Sequence, residues 1–163
     1  MMEEAHKIIK ILLVEDNPDD IEITKRALKE ANVINKLWVV RDGQDALDFL
    51  RHQGKYGDPS ASPKPGLILL DINLPKISGL EVLEAIKKDL DLKNIPVVIL
   101  TVSKRDEDII KSYEGGCNSF IQKPVNFDNF VAVVKEVSLY WGLLNICPPN
   151  GLEEGDAEKN TDS

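Results

Sequence analysis

Side chains that could do chemistry stand at or directly after the ends of four short apolar runs in this sequence. They are Glu15 and Asp16, Asp71, Thr101 and Lys123. Three carboxylates brought together repel one another, and either shifted pKa values or a bound cation must relieve that repulsion. Mg²⁺ suits such a group because it prefers oxygen ligands, keeps several waters and also binds phosphate oxygens. With a lysine and a hydroxyl added, the set could hold a phosphoryl group on a carboxylate, since phosphoryl transfer mainly requires positioning and charge neutralisation.

Asp71 is the central residue of this set. It follows the aliphatic run 67–70, which is long enough for a strand buried on both faces and too short for a helix. An acid in that position lies at the carboxyl edge of a parallel sheet, where open α/β folds bind their ligands. The alternative, that Asp71 merely ends the strand as a turn residue, is disfavoured because four other polar residues reach the same edge.

Strands and helices alternate along the chain. Strands are predicted over 8–14, 37–40, 67–70, 96–101 and 119–122. Helices are predicted over about 18–31 with Asn17 as cap, after Asp42-Gly43, over 79 to about 89, over 104–113, and from a cap at Asn126 onward. This (βα)5 order predicts an α/β fold with an open, doubly wound, parallel five-stranded sheet of the flavodoxin-like kind.

Two segments do not follow this alternation. Residues 52–66 hold three glycines and three prolines, which predicts an exposed loop, and a tolerated insertion is favoured over a functional loop. Residues 148–163 are mainly acidic and polar, so we expect a disordered acidic tail after a folded domain spanning 8–147.

The composition excludes several classes of function. A net charge of −8 and a pI near 4.8 argue against a nucleic-acid-binding face. No apolar run approaches the roughly 18 residues of a membrane span, and the N-terminus lacks the pattern of a signal peptide. Cys117 and Cys147 have no metal-binding or CxxC spacing and suggest reduced thiols in a cytoplasm. His6 and His52 are interpreted as solvated surface residues, so zinc is not expected.

The same residues carry a family resemblance. The set Glu15-Asp16, Asp71, Thr101 and Lys123-Pro124, on a (βα)5 chain, resembles the receiver domains of two-component response regulators over residues 8 to about 140. The sequences Val-Glu-Asp-Asn-Pro, Asp-Ile-Asn-Leu-Pro and Lys-Pro-Val, with the long loop before the third strand, are similar to single-domain regulators paired with phytochrome-like histidine kinases.

The resemblance implies a role for each site residue. Asp71 would accept a phosphoryl group from a histidine kinase, and Thr101 and Lys123 would bind the phosphoryl oxygens. Mg²⁺ would be held by Asp16, Asp71 and the main-chain carbonyl of Asn73, with Glu15 acting through water. Phe120 would be the aromatic switch residue that turns inward as Thr101 moves. Such a protein turns over no external substrate, so we do not expect an enzyme.

Three departures from the usual receiver pattern limit the resemblance: Val102, Cys117 and the loop 52–66, which is long even for this group and whose role stays open. Cys117 is interpreted as a small buried apolar residue. A scaffold that binds partners without phosphorylation is disfavoured by the intact carboxylate cluster. A metal-dependent phosphatase is disfavoured because Asn73, rather than a second acid, follows Asp71 by two positions. No output domain is expected after residue 147, so signalling would pass through protein contacts.

The final helix predicts a homodimer. Phe130 supplies part of its inward face, and the apolar run continues through 139–146, where it is apolar on every side. Pairing across a two-fold axis would bring Tyr140 and Trp141 near their symmetry mates or near Phe130 of the partner. The alternative is that the chain folds back over its own edge.

Overall fold

A computed structural model describes residues 8–30, 35–101, 114–117, 119–123, 128, 130, 132 and 133. The predictions for 104–113, Val102, Tyr140, Trp141, Cys147, His6 and the tail 148–163 lie outside these residues. The division into a domain over 8–147 and a disordered tail therefore stays a prediction.

The described elements follow the predicted alternation. The strands are β1 (Ile9–Val14), β2 (Asn35–Val40), β3 (Leu67–Asp71), β4 (Val97–Thr101) and β5 (Ser119–Gln122). The helices are α1 (Pro18–Glu30), α2 (Gly43–Arg51) and α3 (Gly79–Lys88), with a short 3-10 turn at Gly54–Tyr56.

The sheet has five parallel strands in the order β2-β1-β3-β4-β5. The strand order reverses between β1 and β3, which are adjacent although β2 lies between them in the sequence. In open α/β sheets the ligand site lies outside the carboxyl ends of the strands at such a reversal. The predicted open, doubly wound sheet is confirmed.

Apolar side chains fill both faces of the sheet. On one face, Leu12, Val14 and Ile68 pack with residues of α2 and α3. On the other, Ile11 and Leu69 pack with α1 and with Phe130. Because both faces are covered, the strands are continuously apolar rather than alternating, which explains why short aliphatic runs located them so well.

Local side chains define the helix starts. Asn17 caps α1, its Oδ1 accepting the N–H groups of Asp19 at 2.8 Å and Asp20 at 3.1 Å. Ser78 and Glu81 form a reciprocal capping box at the start of α3. The cap predicted at Asn17 is confirmed, and α1 begins at Pro18 as expected.

The interpretation of 52–66 as an exposed loop is only partly correct. Tyr56 packs edge-on against Phe49 of α2 at 5.2 Å, and its hydroxyl donates to Asp45 at 3.1 Å. Ser62 is fully buried, where its hydroxyl donates to the carbonyl of Tyr56 and meets His52 Nδ1 at 3.2 Å. The solvated-surface interpretation of His52 is therefore wrong, because this histidine ties the segment to the end of α2.

Two further predictions concern buried residues. Cys117 is 9% exposed within the core, and burial raises the pKa of its thiol to about 11, so its interpretation as a small apolar residue is confirmed. Phe130 is fully buried in the core of its own chain. Its inward position is confirmed, but its part in a dimer interface is wrong because no surface of the side chain is left for a partner.

No helix within the described ranges is both long and apolar enough to cross a membrane.

Candidate functional site

The ends of β1 and β3 bring two acids side by side. The register pairs Val14 with Leu70, so the next residues, Glu15 and Asp71, are neighbours across the two strands. The Glu15 N–H donates to the carbonyl of Val40 at 3.0 Å, which continues the hydrogen bonding to β2. The position of both acids therefore follows from backbone pairing.

The backbone after Asp71 is tightly folded. Asp71 is 4% exposed, and its Oδ1 accepts the N–H of Asn73 at 3.2 Å. The Gly79 N–H donates to the carbonyl of Ile72 at 2.9 Å, and a Cβ at Gly79 would lie 2.1 Å from the Asp71 carbonyl oxygen. A side chain cannot occupy that space, so glycine is required for α3 to begin directly against the end of β3.

Three carboxylates converge beside this turn. One oxygen each from Glu15, Asp16 and Asp71 lies within 4.8 Å of the others. Glu15 and Asp71 are buried while Asp16 is exposed, so the group opens to solvent on one side. The convergence predicted from strand ends is confirmed for these residues.

Lys123 reaches the same place from the end of β5. Its Nζ lies 2.6 Å from Glu15 Oε1 and 3.3 Å from Asp71 Oδ2, and its side chain is only 6% exposed. A buried lysine between two buried acids is an ion pair with little competition from water. The predicted meeting of Lys123 and Asp71 is confirmed.

A further acid, missed at the sequence level, completes the contacts of Lys123. Asp20 Oδ2 lies 3.0 Å from Lys123 Nζ, and the Asp20 side chain is 25% exposed. Asp20 stands in the first turn of α1, where acids are common because of the helix dipole, so its type alone gives no functional signal.

Burial and charge shift the ionisation of this cluster. Burial, reinforced by the negative charge of Asp71, raises the pKa of Glu15 to about 7, although Lys123 opposes the shift. For Lys123 burial alone would lower the pKa, but hydrogen bonds to Glu15 and Asp20 outweigh it and the pKa is raised. The lysine therefore stays charged, and three carboxylates, those of Glu15, Asp20 and Asp71, surround its ammonium group.

The residues present fit a divalent cation. All the side-chain donors are carboxylate oxygens, the ligands that hard cations prefer. Apart from its ion pair with Lys123, the buried Glu15 Oε1 has no hydrogen-bond partner within the described chain. A positive charge with bound water would satisfy that atom and offset the excess negative charge.

The other predicted site residues are less completely described. Thr101 ends β4 and pairs with Gln122 of β5, so its strand-end position is confirmed, but its side chain lies outside the described residues. Phe120 of β5 is half-buried and packs against the core on the α2–α3 side. Its role as a switch residue stays a prediction.

The segment joining β3 to α3 is held by the start of α2. The Gly43 N–H donates to the carbonyl of Pro75 at 3.3 Å, and a Cβ at Gly43 would lie 2.1 Å from the Ile77 carbonyl oxygen. Lys76, which has a positive φ of 68°, pairs with Asp42 at 3.7 Å. These contacts were not predicted, and they fix the segment that carries Asn73.

Comparisons with known proteins agree with this geometry. The profile of the response regulator receiver domain matches residues 11–135. Response regulator Rcp1 of Synechocystis sp. is 42% identical over 141 residues, covering 86% of this chain and 94% of the relative.

Solved structures give the same result. The crystal structure of the Mn²⁺-bound form of response regulator Rcp1 superposes with a TM-score of 0.70 at 42% identity, covering 86% of this chain and 99% of that one. The crystal structure of the phosphorylated cyanobacterial phytochrome response regulator RcpA gives a TM-score of 0.70 at 44% identity, covering 84% of this chain and 94% of that one.

Proposed function

Because this chain belongs to the response regulator receiver domain family, we propose that it accepts a phosphoryl group on Asp71 from a partner histidine kinase and signals by a change of conformation. The observation that carries the proposal is the 3.3 Å contact between Asp71 Oδ2 and the buried ammonium of Lys123. This contact supports the proposal because the ammonium lies beside the carboxylate oxygen that would carry the phosphoryl group.

The proposed transfer is a nucleophilic displacement at phosphorus. A carboxylate oxygen of Asp71 attacks the phosphorus of a phosphohistidine and forms an O–P bond, while the P–N bond breaks. The electron pair of that bond stays on the imidazole nitrogen, which then takes up a proton. Lys123 stabilises the charge on the phosphoryl oxygens because its ammonium is already in place and needs no reorganisation. The Thr101 hydroxyl is proposed as a second donor to the same oxygens.

Mg²⁺ is the proposed cofactor. Asp16, Asp71 and the main-chain carbonyl of Asn73 would hold it, with Glu15 acting through water. Bound there, it would supply charge neutralisation for the phosphoryl oxygens. The convergence of three carboxylates within 4.8 Å and the Mn²⁺-bound form of Rcp1 support a divalent cation at this position.

The donor is proposed to be a phytochrome-like histidine kinase, on the basis of similarity to the phytochrome response regulator RcpA. Receiver domains are generally not classical enzymes, and we propose that this one catalyses only its own phosphorylation and dephosphorylation. The acidic net charge of −8 supports a protein partner rather than a nucleic acid. A cytoplasmic location and self-association through residues 139–146 complete the proposal.

Intact-mass measurement tests the phosphoacceptor directly. Acetyl phosphate with Mg²⁺ should add one phosphoryl group to the wild type and none to Asp71→Asn, and a chelator should prevent the gain. Asp91→Asn, which changes an exposed aspartate in a turn, is the matched control and should be modified like the wild type. Full modification of Asp71→Asn would overturn the assignment. If Asp71 is confirmed as the phosphoacceptor, phosphotransfer assays with the histidine kinases of the source genome would identify the donor.

A further inference from the structure

Lys123 has as many carboxylate partners as it has N–H donors. An ammonium group carries three donors, and Nζ lies 2.6 Å from Glu15, 3.0 Å from Asp20 and 3.3 Å from Asp71. Asp20 differs from the other two because it does not belong to the group of carboxylates that could hold a metal ion. Its contact with Lys123 therefore needs its own explanation.

The backbone fixes Asp20 firmly. Its N–H donates to the capping oxygen of Asn17 at 3.1 Å, and its carbonyl accepts the Thr24 hydroxyl at 2.8 Å. The carboxylate therefore projects from a well-held helical turn and pulls Lys123 Nζ toward α1. Glu15 holds the same atom from the end of β1, so the ammonium is fixed from two directions.

Phosphorylation of Asp71 would change only one of the three contacts. The carboxylate of Asp71 becomes an acyl phosphate, and the donor that faced Asp71 Oδ2 then faces the new phosphoryl oxygens. The contacts to Glu15 and Asp20 need not break for this to happen. Two anchors would thus keep the ammonium aimed while its third partner changes.

We propose that Asp20 is a positioning residue that holds Lys123 Nζ at the phosphoryl site and thereby sets the rate at which Asp71 is phosphorylated. This inference rests on the proposed function of Asp71. Asp20 does not touch the phosphoryl group, and its effect passes through Lys123.

The competing explanation is that Asp20 only stabilises the start of α1. Acids in the first turn interact favourably with the helix dipole. The chain provides a matched control in Asp19, which lies in the same turn, donates its N–H to the same Asn17 oxygen and is exposed. Neutralising either residue costs a similar dipole interaction, but only Asp20 contacts Lys123.

The first experiment compares Asp20→Asn with Asp19→Asn. Phosphorylation by acetyl phosphate at saturating Mg²⁺ should be about fivefold slower for Asp20→Asn, because the ion pair with a carboxylate becomes a weaker hydrogen bond from the ammonium to an uncharged amide oxygen. Asp19→Asn should keep the wild-type rate. Asp20→Glu restores the charge and should recover part of the loss. Equal rates for the two asparagine variants would overturn the inference.

A double-mutant cycle separates positioning from a structural role. In a Lys123→Gln background, Asp20→Asn should no longer slow phosphorylation, because the residue through which it acts is gone. A helix-stabilising role would leave the effect of Asp20→Asn unchanged in that background and would overturn the inference. As a readout independent of activity, the ¹H–¹⁵N signal of the Lys123 ammonium should shift in Asp20→Asn and not in Asp19→Asn.

The controls separate a failure of the positioning role of Asp20 from a failure of the proposed phosphorylation of Asp71. Melting curves establish that each variant folds, and Asp20→Glu, which keeps the charge, carries the test if Asp20→Asn does not fold. If Asp71→Asn is phosphorylated as fully as the wild type, the proposed function itself is refuted. If the wild type is phosphorylated on Asp71 but Asp20→Asn and Asp19→Asn are phosphorylated at the same rate, only the role of Asp20 is refuted.

Discussion

Replacing Glu15 with glutamine should change how the stability of the protein depends on pH. The pKa of Glu15 is about 7 in the folded protein against an ordinary value of 4.5, because the folded state buries the carboxylate beside Asp71. Below about pH 4.5 the group is protonated in both states. Between the two values only the folded state holds the proton, and above about pH 7 the folded state carries the full cost of the buried charge.

The magnitude follows from the two pKa values. Each pKa unit corresponds to about 1.4 kcal/mol, so the wild type should lose about 3 kcal/mol of unfolding free energy between pH 4.5 and 8 through Glu15. Glu15→Gln lacks the titrating group and should not show this loss. The difference between the two proteins therefore isolates Glu15 from the other titrating residues.

Urea unfolding followed by tryptophan fluorescence measures this difference. Wild type, Glu15→Gln and Glu22→Gln, an exposed control on α1, should be compared from pH 4.5 to pH 8 with a chelator present. As the pH rises, the unfolding free energy of the wild type should fall relative to that of Glu15→Gln and stay parallel to that of Glu22→Gln. With Mg²⁺ added, the fall should flatten because a nearby cation favours the ionised carboxylate. A wild type whose unfolding free energy runs parallel to that of Glu15→Gln without metal would show that folding does not raise the pKa of Glu15.

Two further predictions concern the surroundings of the site and the dimer. Gly43→Ala should destabilise the protein by about 2 kcal/mol and weaken Mg²⁺ binding, because its Cβ would lie 2.1 Å from the Ile77 carbonyl oxygen. Gly57→Ala, where the nearest atom is 3.7 Å away, is the control for urea unfolding and metal titration, and equal behaviour of the two would contradict the prediction. Light scattering should give a dimer mass for the wild type and a folded monomer for Trp141→Glu, whereas a monomeric wild type with and without phosphorylation would end the dimer proposal.

The strands were predictable because parallel strands covered on both faces must be apolar throughout. The run 67–70 shows the strength and the limit of this signal. It located β3 but not its last residue, since the strand extends to Asp71. That extension depends on pairing of Asp71 with Leu100 of β4. Strand ends are defined by hydrogen bonds to a neighbour, and no local sequence pattern records them.

The acids at the strand ends were predictable for the same reason. Once the strands are parallel and in order, Glu15 and Asp71 must emerge at one edge, whatever their side chains do. Asp20 was not predictable in this way because it comes from a helix. Its partner Lys123 is 103 residues away in the sequence, and only the folding of the whole chain brings the two to 3.0 Å.

The segment 52–66 shows a different limit. Its glycines and prolines correctly indicate irregular backbone. They do not reveal that Ser62 is fully buried or that Tyr56 packs on Phe49, because these contacts depend on how the segment folds back over α2. The composition of 52–66 predicted an irregular backbone, but it could not predict that side chains of this segment pack against α2.

Lys123 links the chemistry at Asp71 to the strand that would transmit it. It directly follows β5 in the chain, and Phe120 lies three residues earlier on the same strand. Through its ammonium, Lys123 joins β5 to the ends of β1 and β3 and to the first turn of α1. Because the side chain is 6% exposed, water screens these interactions weakly, and a change of charge on Asp71 acts directly on Lys123. A phosphoryl group at Asp71 would therefore act through Lys123 on the end of β5, the strand that also carries Phe120.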